Sequence, residues 1–394
     1  MTTMDTGLTP VELLHIRAAD ILPDIAAGAS DRERHHHLPH DEVRRLARAQ
    51  LLTFRIPADH GGPGSSVRDA TRFVIDLAAA DSNIAQVVRS HLGFVEGLLA
   101  YGSPEEHERW YSRLLAGDVY GNAGWEIGGA NGAVSTRIVA DGDRYTANGS
   151  KYYSTGALYA DWIGTSALDP QGSAVSFVLP RDRAGLHLLD DFDAMGQRLT
   201  ASGTTNLDNV TVYPHEIRHR TVRDHRSPVT AFLQLYLGAV EAGIARAALD
   251  DAVLFTRQHA RPIAHSTAKR SVDDPYVRET VGEIAALAYA AEAVVLHAAA
   301  DLDRAWRCGL EPALVTEAAV ASAKAQIVAI GNALKAAELL FDVGGGSATA
   351  RKHNLDRHWR NARTVANHHP RRWKAAVAGA YLLDDVEPPT SGLF

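Results

Sequence analysis

The spacing of apolar residues changes twice along this 394-residue chain, and that change constrains its fold more than any other feature. Before about residue 117 and after residue 228 apolar residues recur at helical spacing, whereas between 120 and 213 they alternate in short runs. The alternating part predicts strands at 133–140, 144–153, 162–167, 174–179 and 207–213, with a hairpin turn at 141–143. Short strands at regular spacing favour a small β-barrel or sandwich.

The sequence therefore predicts an α+β, mostly α, protein with a helical domain at 1–118, a β-domain at 119–225 and a helical bundle at 226–394. In the first domain we expect a helix that Pro23 and Gly28 end, a second at 41–52, and a third at 81–101 that Asp81 or Ser82 caps. In the last domain helices are expected from Pro228, from Pro275 to Gly309, and from Pro312 to the glycines at 344–346.

Charge and cysteine content exclude several classes of protein. The net charge of −7 and the absence of a long basic run argue against a nucleic-acid partner. No stretch approaches ~18 uninterrupted apolar residues, and the first ten residues are polar, so neither a membrane span nor a secretory signal is expected. Cys308 is the only cysteine, which excludes an intramolecular disulfide and favours the cytoplasm. The histidines at 35–37 and 40 are interpreted as a solvated loop rather than a metal site, because consecutive residues cannot all face one ion.

One histidine lies on the apolar face of the helix predicted at 81–101. His91 follows Val87 by four residues and precedes Val95 by four, so its side chain is expected to point inward. Two interpretations stay open at equal weight. It is either a core histidine with a satisfied hydrogen bond or a histidine that lines a ligand pocket.

Three motifs place small, hydroxyl and amide residues between runs of β-pattern. They are GNAGWE at 121–126, NGSKYYSTGA at 148–157 and GQRLTASGTT at 196–205. Such residues suit hydrogen bonding to a flat polar ligand whose ring approaches the backbone closely. We therefore interpret the β-domain as the part that binds a cofactor, with a helical domain on either side of it.

The order of domains and the wording of these motifs resemble the acyl-CoA dehydrogenase family. Residues 148–156 resemble its flavin segment, and 196–198 with 202–204 resemble its second β-domain motif. Residues 356–364, together with His368-His369-Pro370, are most similar to the flavin-dependent monooxygenase branch, which contains dibenzothiophene monooxygenase. The resemblance extends from about residue 46 to residue 381.

The departure from the family is at its catalytic base. Where acyl-CoA dehydrogenases carry a glutamate, this sequence has His368-His369-Pro370-Arg371, and removal of a proton α to a thioester needs a carboxylate. The resemblance implies instead a two-component monooxygenase that receives reduced flavin from a separate NAD(P)H:flavin reductase. Oxygen would react to a C4a-hydroperoxyflavin that oxygenates a small apolar, sulfur-containing or aromatic substrate. FMN is expected because the relatives use it, with FAD as the alternative.

The resemblance also implies roles for single residues and a homotetramer, with no metal. The residues expected to act in catalysis are His91, Ser154 and His368. Those expected to bind the flavin are Asn122, Ser154, Arg198, Arg261, Gly345, Gly346 and Ser347, the last four across a subunit boundary. Those expected to contact substrate are His91, Val95, Trp125, Phe192 and His368.

Several of these residues also have a purely structural interpretation. Ser154 could cap a strand end, Arg261 could be an ordinary surface arginine, and His369 could point into solvent. Val95 stands where the better-known relative has a tyrosine, so that substrate contact would be missing. Two other functions are open: an acyl-CoA dehydrogenase that borrows its base from another helix, and a flavin-free scaffold that kept only the fold. Anaerobic bleaching by an acyl-CoA would reveal the first, and failure to bind FMN the second.

Overall fold

The computed structural model describes residues 7–127, 134–218, 226–390 and 394, and it has the expected order of a helical domain, a sheet and a helical bundle. The N-terminal domain contains five helices. They are α1 (Pro10–His35), α2 (His40–Arg48), α3 (Val67–Val87), α4 (Arg89–Tyr101) and α5 (Pro104–Leu115).

Helix α1 continues through both residues that were expected to end it, so that prediction is wrong. Pro23 removes one backbone hydrogen bond from the helix. The buried face of α1 packs with α3 in the main core, and this burial outweighs the local cost. The helix ends only after His35, where His36 takes the left-handed conformation. The histidine tract is therefore not wholly a loop, since His35 ends α1 and His40 begins α2.

The helix predicted at 81–101 is two helices with a kink before them. Asp81 has extended backbone angles (φ −157°, ψ 107°) inside α3, and its Oδ1 accepts the Asn83 N–H at 3.0 Å. The predicted cap at Asp81 is thus confirmed. A second break at Val88 separates α3 from α4. Helix α4, which contacts both the sheet and the helical bundle, therefore starts at Arg89.

The described residues of the central domain form one eight-stranded sheet. Its strands are β1 (Tyr120–Ala123), β2 (Arg137–Asp141), β3 (Arg144–Lys151), β4 (Trp162–Leu168), β5 (Ala174–Pro180), β6 (Leu186–Leu188), β7 (Thr205–Val212) and β8 (Ile217–Arg218). They pair in the order β6-β7-β3-β2-β4-β5-β8, and β1 pairs with β4 in parallel. Since β6 and β8 are separate ends of this path, the sheet formed by the described residues is open rather than a closed barrel.

Five of these strands lie where the alternating pattern predicts them, and β1, β6 and β8 were not predicted. The predicted hairpin is confirmed, because Asp141 pairs with Arg144 and Gly142 has a φ of +65°. The predicted start of the first strand, residue 133, lies outside the described residues. The missed strands have two to four residues, too few to show an alternation.

The C-terminal bundle consists of α6 (Pro228–Gln258), α7 (Pro275–Arg307), α8 (Pro312–Leu339), α9 (Arg357–Ala366) and α10 (Arg371–Asp384). The predicted starts at Pro228, Pro275 and Pro312 are confirmed. Asp274 caps α7 through the N–H groups of Tyr276 and Val277. The predicted end of α8 is wrong, because the helix stops at Leu339 and the glycines at 344–346 lie in a later turn.

The helices α6, α7 and α8 are long and apolar enough to cross a membrane by length and composition alone. The sequence criterion of ~18 uninterrupted apolar residues missed these three helices, because scattered polar residues interrupt segments whose average hydropathy is high. In the most apolar window of α6, 83% of the residues are buried inside the protein, whereas in that of α7 only 33% are. Helix α6 is thus the central helix of the bundle, and α7 leaves a wide apolar face uncovered.

Candidate active site

The end of strand β3 meets the start of α4. Gly156 has a φ of +80°, and a Cβ there would lie 2.5 Å from the Val87 carbonyl oxygen. Only glycine allows this approach. One residue earlier, the Thr155 carbonyl accepts a hydrogen bond from the Ser90 hydroxyl at 3.3 Å. The strand end and the first turn of α4 are therefore held together.

A row of hydroxyl groups lies at the same place. Thr205 Oγ1 donates to Ser154 Oγ at 2.8 Å, and the Ser202 hydroxyl lies 2.7 Å from the hydroxyls of both Thr155 and Thr200. Ser154 is 2% exposed, whereas Thr155 is partly exposed. The motifs at 148–157 and 196–205 thus come together as expected. Thr155 and Ser202 were not among the predicted site residues, although both lie inside those motifs.

The turn between α9 and α10 brings two histidines against α6. Gln234 Oε1 lies 2.8 Å from Lys374 Nζ and 2.9 Å from His369 Nδ1, and His369 Nε2 lies 3.3 Å from His368 Nδ1. The amide oxygen accepts from both groups, so His369 carries its proton on Nδ1 and accepts from His368 on Nε2. His368 is then left with an unprotonated Nε2.

The histidine expected to face solvent is the buried one. His369 is 5% exposed, so the interpretation that it points into solvent is wrong. His368 is the exposed member of the pair, although protein atoms crowd it on several sides. These protein atoms desolvate the imidazole, which lowers the pKa of His368 well below its usual range, and the positive charge of Arg89 lowers it further. Burial likewise lowers the pKa of His369 to about 3.

Arg89, at the first position of α4, belongs to the same group. Its guanidinium perturbs the pKa values of His368, His369 and Lys374, so it lies close to all three. Among the described residues, no Asp or Glu contributes to the pKa shift of Arg89 or of His368. The turn between α9 and α10, where acyl-CoA dehydrogenases carry their base, therefore holds imidazoles next to cations and no carboxylate of its own.

His91 lies in different surroundings. It is 0% exposed, and its Nδ1 accepts the backbone N–H of Tyr120 at 3.2 Å. Burial lowers its pKa to about 4, and its other neighbours are the Leu52 carbonyl and Asp161. Val95, also 0% exposed, lies in a separate hydrophobic cluster with Phe94. Both side chains are buried, the Nε2 of His91 has no hydrogen-bond partner among the described residues, and neither side chain has a described contact with the His368 group.

The remaining predicted contacts spread over the rim of the sheet. Asn122, on β1, and Phe192, between β6 and β7, are partly buried. Trp125 is 48% exposed and forms an isolated β-bridge with Tyr152. Arg198 makes an ion pair with Glu33 at 3.6 Å, but Glu33 pairs more closely with Arg360 at 2.5 Å.

The residues expected to cross a subunit boundary lie at another corner. Arg261, Gly345, Gly346 and Ser347 are exposed. Phe255, near the end of α6, lies against Gly344, which brings the Arg261 segment and the glycine turn close to one another. They form an exposed corner without a described contact to His368 or Ser154.

Three residues of the site were missed by the sequence analysis: Arg89, Gln234 and Lys374. Two of them carried a signal. Arg89 is the only Lys or Arg between residues 84 and 101, and Gln234 is a single amide in the apolar run 231–240. Polar residues isolated in apolar helices need a partner and are candidates for function. Lys374 stands in a basic segment and carries no such signal.

The sequence matches two protein families: "Acyl-CoA dehydrogenase, N-terminal domain" over residues 20–118 and "Acyl-CoA dehydrogenase, C-terminal domain" over 235–372. A dibenzothiophene monooxygenase of Mycolicibacterium goodii is 30% identical over 373 residues, which are 88% of either chain. The crystal structure of TdsC from Paenibacillus sp. A11-2 with FMN and indole aligns with a TM-score of 0.91 at 28% identity, over 97% of this chain and 99% of that one. Methanesulfinate monooxygenase MsuC of Pseudomonas fluorescens aligns with a TM-score of 0.87 at 27% identity, over 98% and 100%.

Proposed function

This chain belongs to the acyl-CoA dehydrogenase family, and from that premise we propose that it is a two-component flavin-dependent monooxygenase. It uses reduced FMN and O2 to oxygenate a sulfur-containing or aromatic small molecule. One oxygen atom forms the new bond to the substrate, the other leaves as water, and reduced flavin supplies the two electrons. This proposal is supported by the monooxygenases among its relatives and by the FMN-bound structure of TdsC.

The observation that carries the proposal is His368 at the place of the dehydrogenase base. Its Nε2 is free to accept a proton or a hydrogen bond, because Nδ1 is engaged by His369. No carboxylate is among the groups that perturb it in the described part of the chain. Such a histidine can move a proton at a substrate or an oxygen atom, but the turn that carries it offers no carboxylate for α-proton removal.

The residues at the junction fit a flavin. The partly exposed Thr155 lies beside Gly156, where the backbone approaches closely, and the linked hydroxyls of Ser202 and Thr200 fix its orientation. When bound, FMN supplies the reaction with O2. Thr155 would offer it a hydroxyl partner at the ring edge, and the surrounding apolar core would keep water away. FAD is the alternative cofactor.

The proposal includes a separate NAD(P)H:flavin reductase as partner, a homotetramer and a cytoplasmic location. The uncovered face of α7 supports an assembly of several copies. Tyr276 and Tyr289 on this helix are 77% and 79% exposed, and its apolar window is mostly uncovered. Large apolar surface of this kind is typical of protein–protein contacts.

The test supplies the purified protein with FMN, a flavin reductase, NADH and ¹⁸O2, and with dibenzothiophene, indole or thioanisole as substrates. We expect one ¹⁸O atom in the product and no product without O2 or without FMN. The dehydrogenase alternative is tested in parallel by adding acyl-CoA thioesters anaerobically to FAD-loaded protein. Flavin bleaching there, combined with no ¹⁸O incorporation, would reject the monooxygenase assignment.

A further inference from the structure

Within the described part of the chain, Arg89 is a cation without an anionic partner. Its guanidinium makes two hydrogen bonds, both to the Leu233 carbonyl and both long at 3.4 Å. No ion pair to Arg89 is found in the described ranges 7–127, 134–218, 226–390 and 394. Leu233 lies near the start of α6, so its carbonyl is not one of the helix-end carbonyls that arginines commonly cap.

The surroundings of Arg89 add to the positive charge. His368 and His369 come from the turn after α9, and Lys374 comes from α10. Burial lowers the pKa of Arg89 to about 10, and burial together with the charge of Arg89 lowers the pKa values of His368, His369 and Lys374, the last to about 8. Among the described residues, Tyr236 of α6 is the one titratable group that perturbs the pKa of Arg89, and it raises that pKa slightly against the effect of burial. An anion bound among these four groups would therefore stabilise their charged forms.

Buried charges are normally paired, since the desolvation of an isolated ion is costly. Two well-buried arginines of the N-terminal domain follow this rule, because Arg32 pairs with Asp81 at 2.8 Å and Arg55 pairs with Glu96 at 2.5 Å. Arg89 departs from it at the one place where a substrate is expected. This contrast indicates that the missing partner comes from outside the chain.

We propose that Arg89, together with His368, binds an oxyanion of the substrate, a sulfinate or a carboxylate carried on its apolar body. The proposal rests on the proposed function, since it names the substrate class of the same site. An arginine can engage both oxygens of such a group in parallel, which fixes the orientation of the substrate. The protonated form of His368 would add a second donor once the anion is present.

The test measures equilibrium binding to the FMN-loaded protein without turnover. The probes are benzenesulfinate, benzoate and the neutral methyl phenyl sulfoxide. Calorimetry in two buffers of different ionisation enthalpy reports proton uptake. We expect an anion to bind better than the sulfoxide, with proton uptake near pH 7, because an anion raises the pKa of His368. Comparison of the two anions distinguishes sulfinate from carboxylate.

Two variants and a control locate the binding group. Arg89→Met is expected to weaken anion binding at least about 30-fold, as for removal of one partner from a buried charge pair. Arg89→Lys is expected to retain part of the affinity, and sulfoxide binding should change less than about twofold in either variant. The control is Arg304→Met, which removes the same charge from a surface pair with Glu317 and should change neither ligand.

Equal affinity of the wild type and Arg89→Met for both anions, or preference of the wild type for the sulfoxide, would overturn the proposal. Loss of reduced FMN binding in Arg89→Met with unchanged anion binding would assign the cation to the flavin instead. If Arg89→Met does not fold, Arg89→Lys and the salt dependence of wild-type binding give the answer. Absence of ¹⁸O incorporation would count against the proposed function and leave this binding result standing.

Discussion

At the scale of single residues, three histidines with the same chemistry have three different tasks. His91 has one nitrogen bonded to the backbone and is enclosed by the core. The hydrogen bond from His369 to Gln234 fixes the tautomer of His369, which in turn fixes the tautomer of His368. The Nε2 of His368 is then left free to accept a proton. The sequence offered His91 two interpretations of equal weight, and its surroundings favour the core residue. Helical periodicity tells which side of a helix is buried, but not whether protein or ligand fills that side.

Replacement of His368 should affect chemistry and leave the fold intact. We expect His368→Phe to lower the rate of oxygenated product by about 10²-fold or more, the usual contribution of a proton-transferring group. Because the exposed His368 donates to the buried His369, the free energy of unfolding should fall by no more than about 1–3 kcal/mol, the cost of leaving that acceptor unpaired. Product yield per reduced flavin consumed and urea denaturation measure the two effects. Unchanged product formation would remove His368 from the catalytic residues.

Replacement of His91 should lower the stability of the protein and leave its oxygenation rate nearly unchanged. In His91→Leu the Tyr120 N–H loses its acceptor at a buried position, which costs about 1–3 kcal/mol. The oxygenation rate per folded molecule should stay within about threefold of the wild type at 15 °C. Urea denaturation followed by circular dichroism, with activity at low temperature, separates the effects. A stable variant that has lost its activity would return His91 to the ligand pocket.

At the scale of elements, long and strongly periodic segments were predictable, and interruptions were not. The strands β2, β3, β4, β5 and β7 follow the alternating pattern, whereas Pro23 does not end α1 because packing on α3 outweighs one lost hydrogen bond. The break at Val88 was missed. No proline or glycine marks it, yet it directs Arg89 and Ser90 toward the site. Tertiary contacts decide such breaks, so local sequence does not reveal them.

The close contact of Gly156 with Val87 gives a prediction for this junction. Gly172 has a matching φ of +83°, but a Cβ there would meet nothing within 4 Å. We expect Gly172→Ala to cost about 1 kcal/mol from backbone strain alone. Gly156→Ala should cost at least about 2 kcal/mol more, because the methyl group clashes with the Val87 carbonyl.

Unfolding curves of the two variants measure the difference, and an FMN titration shows its effect on the cofactor. FMN binding should weaken only in Gly156→Ala, since Thr155 moves with its neighbour. Equal costs in the two variants would mean that the segment after β3 and the end of α3 do not need this close approach.

At the scale of the molecule, the domain order and the flavin motifs were readable from the sequence, whereas the centre of the site was not. Hydroxyl motifs separated by about fifty residues meet because β3 and β7 are neighbours in the sheet. Arg89, Gln234 and Lys374 come from three helices far apart in the chain, and only the packing of the bundle brings them together. A single sequence records each residue but not these distances.

Buried neutral histidines should also make the stability of the whole protein depend on pH. Burial lowers the pKa of His91 to about 4 and that of His369 to about 3, below the 6.5 of an unfolded chain. Above pH 6.5 neither state binds a proton at these groups, so they do not affect stability there. As the pH falls below 6.5, only the unfolded state is protonated, and stability drops by up to about 1.4 kcal/mol per pH unit for each histidine until the folded-state pKa is reached.

Urea denaturation at pH 7, 6 and 5 should therefore show a falling free energy of unfolding, and His91→Leu should reduce the slope by about one proton. A free energy independent of pH between 7 and 5 would mean that these histidines become charged in the folded protein.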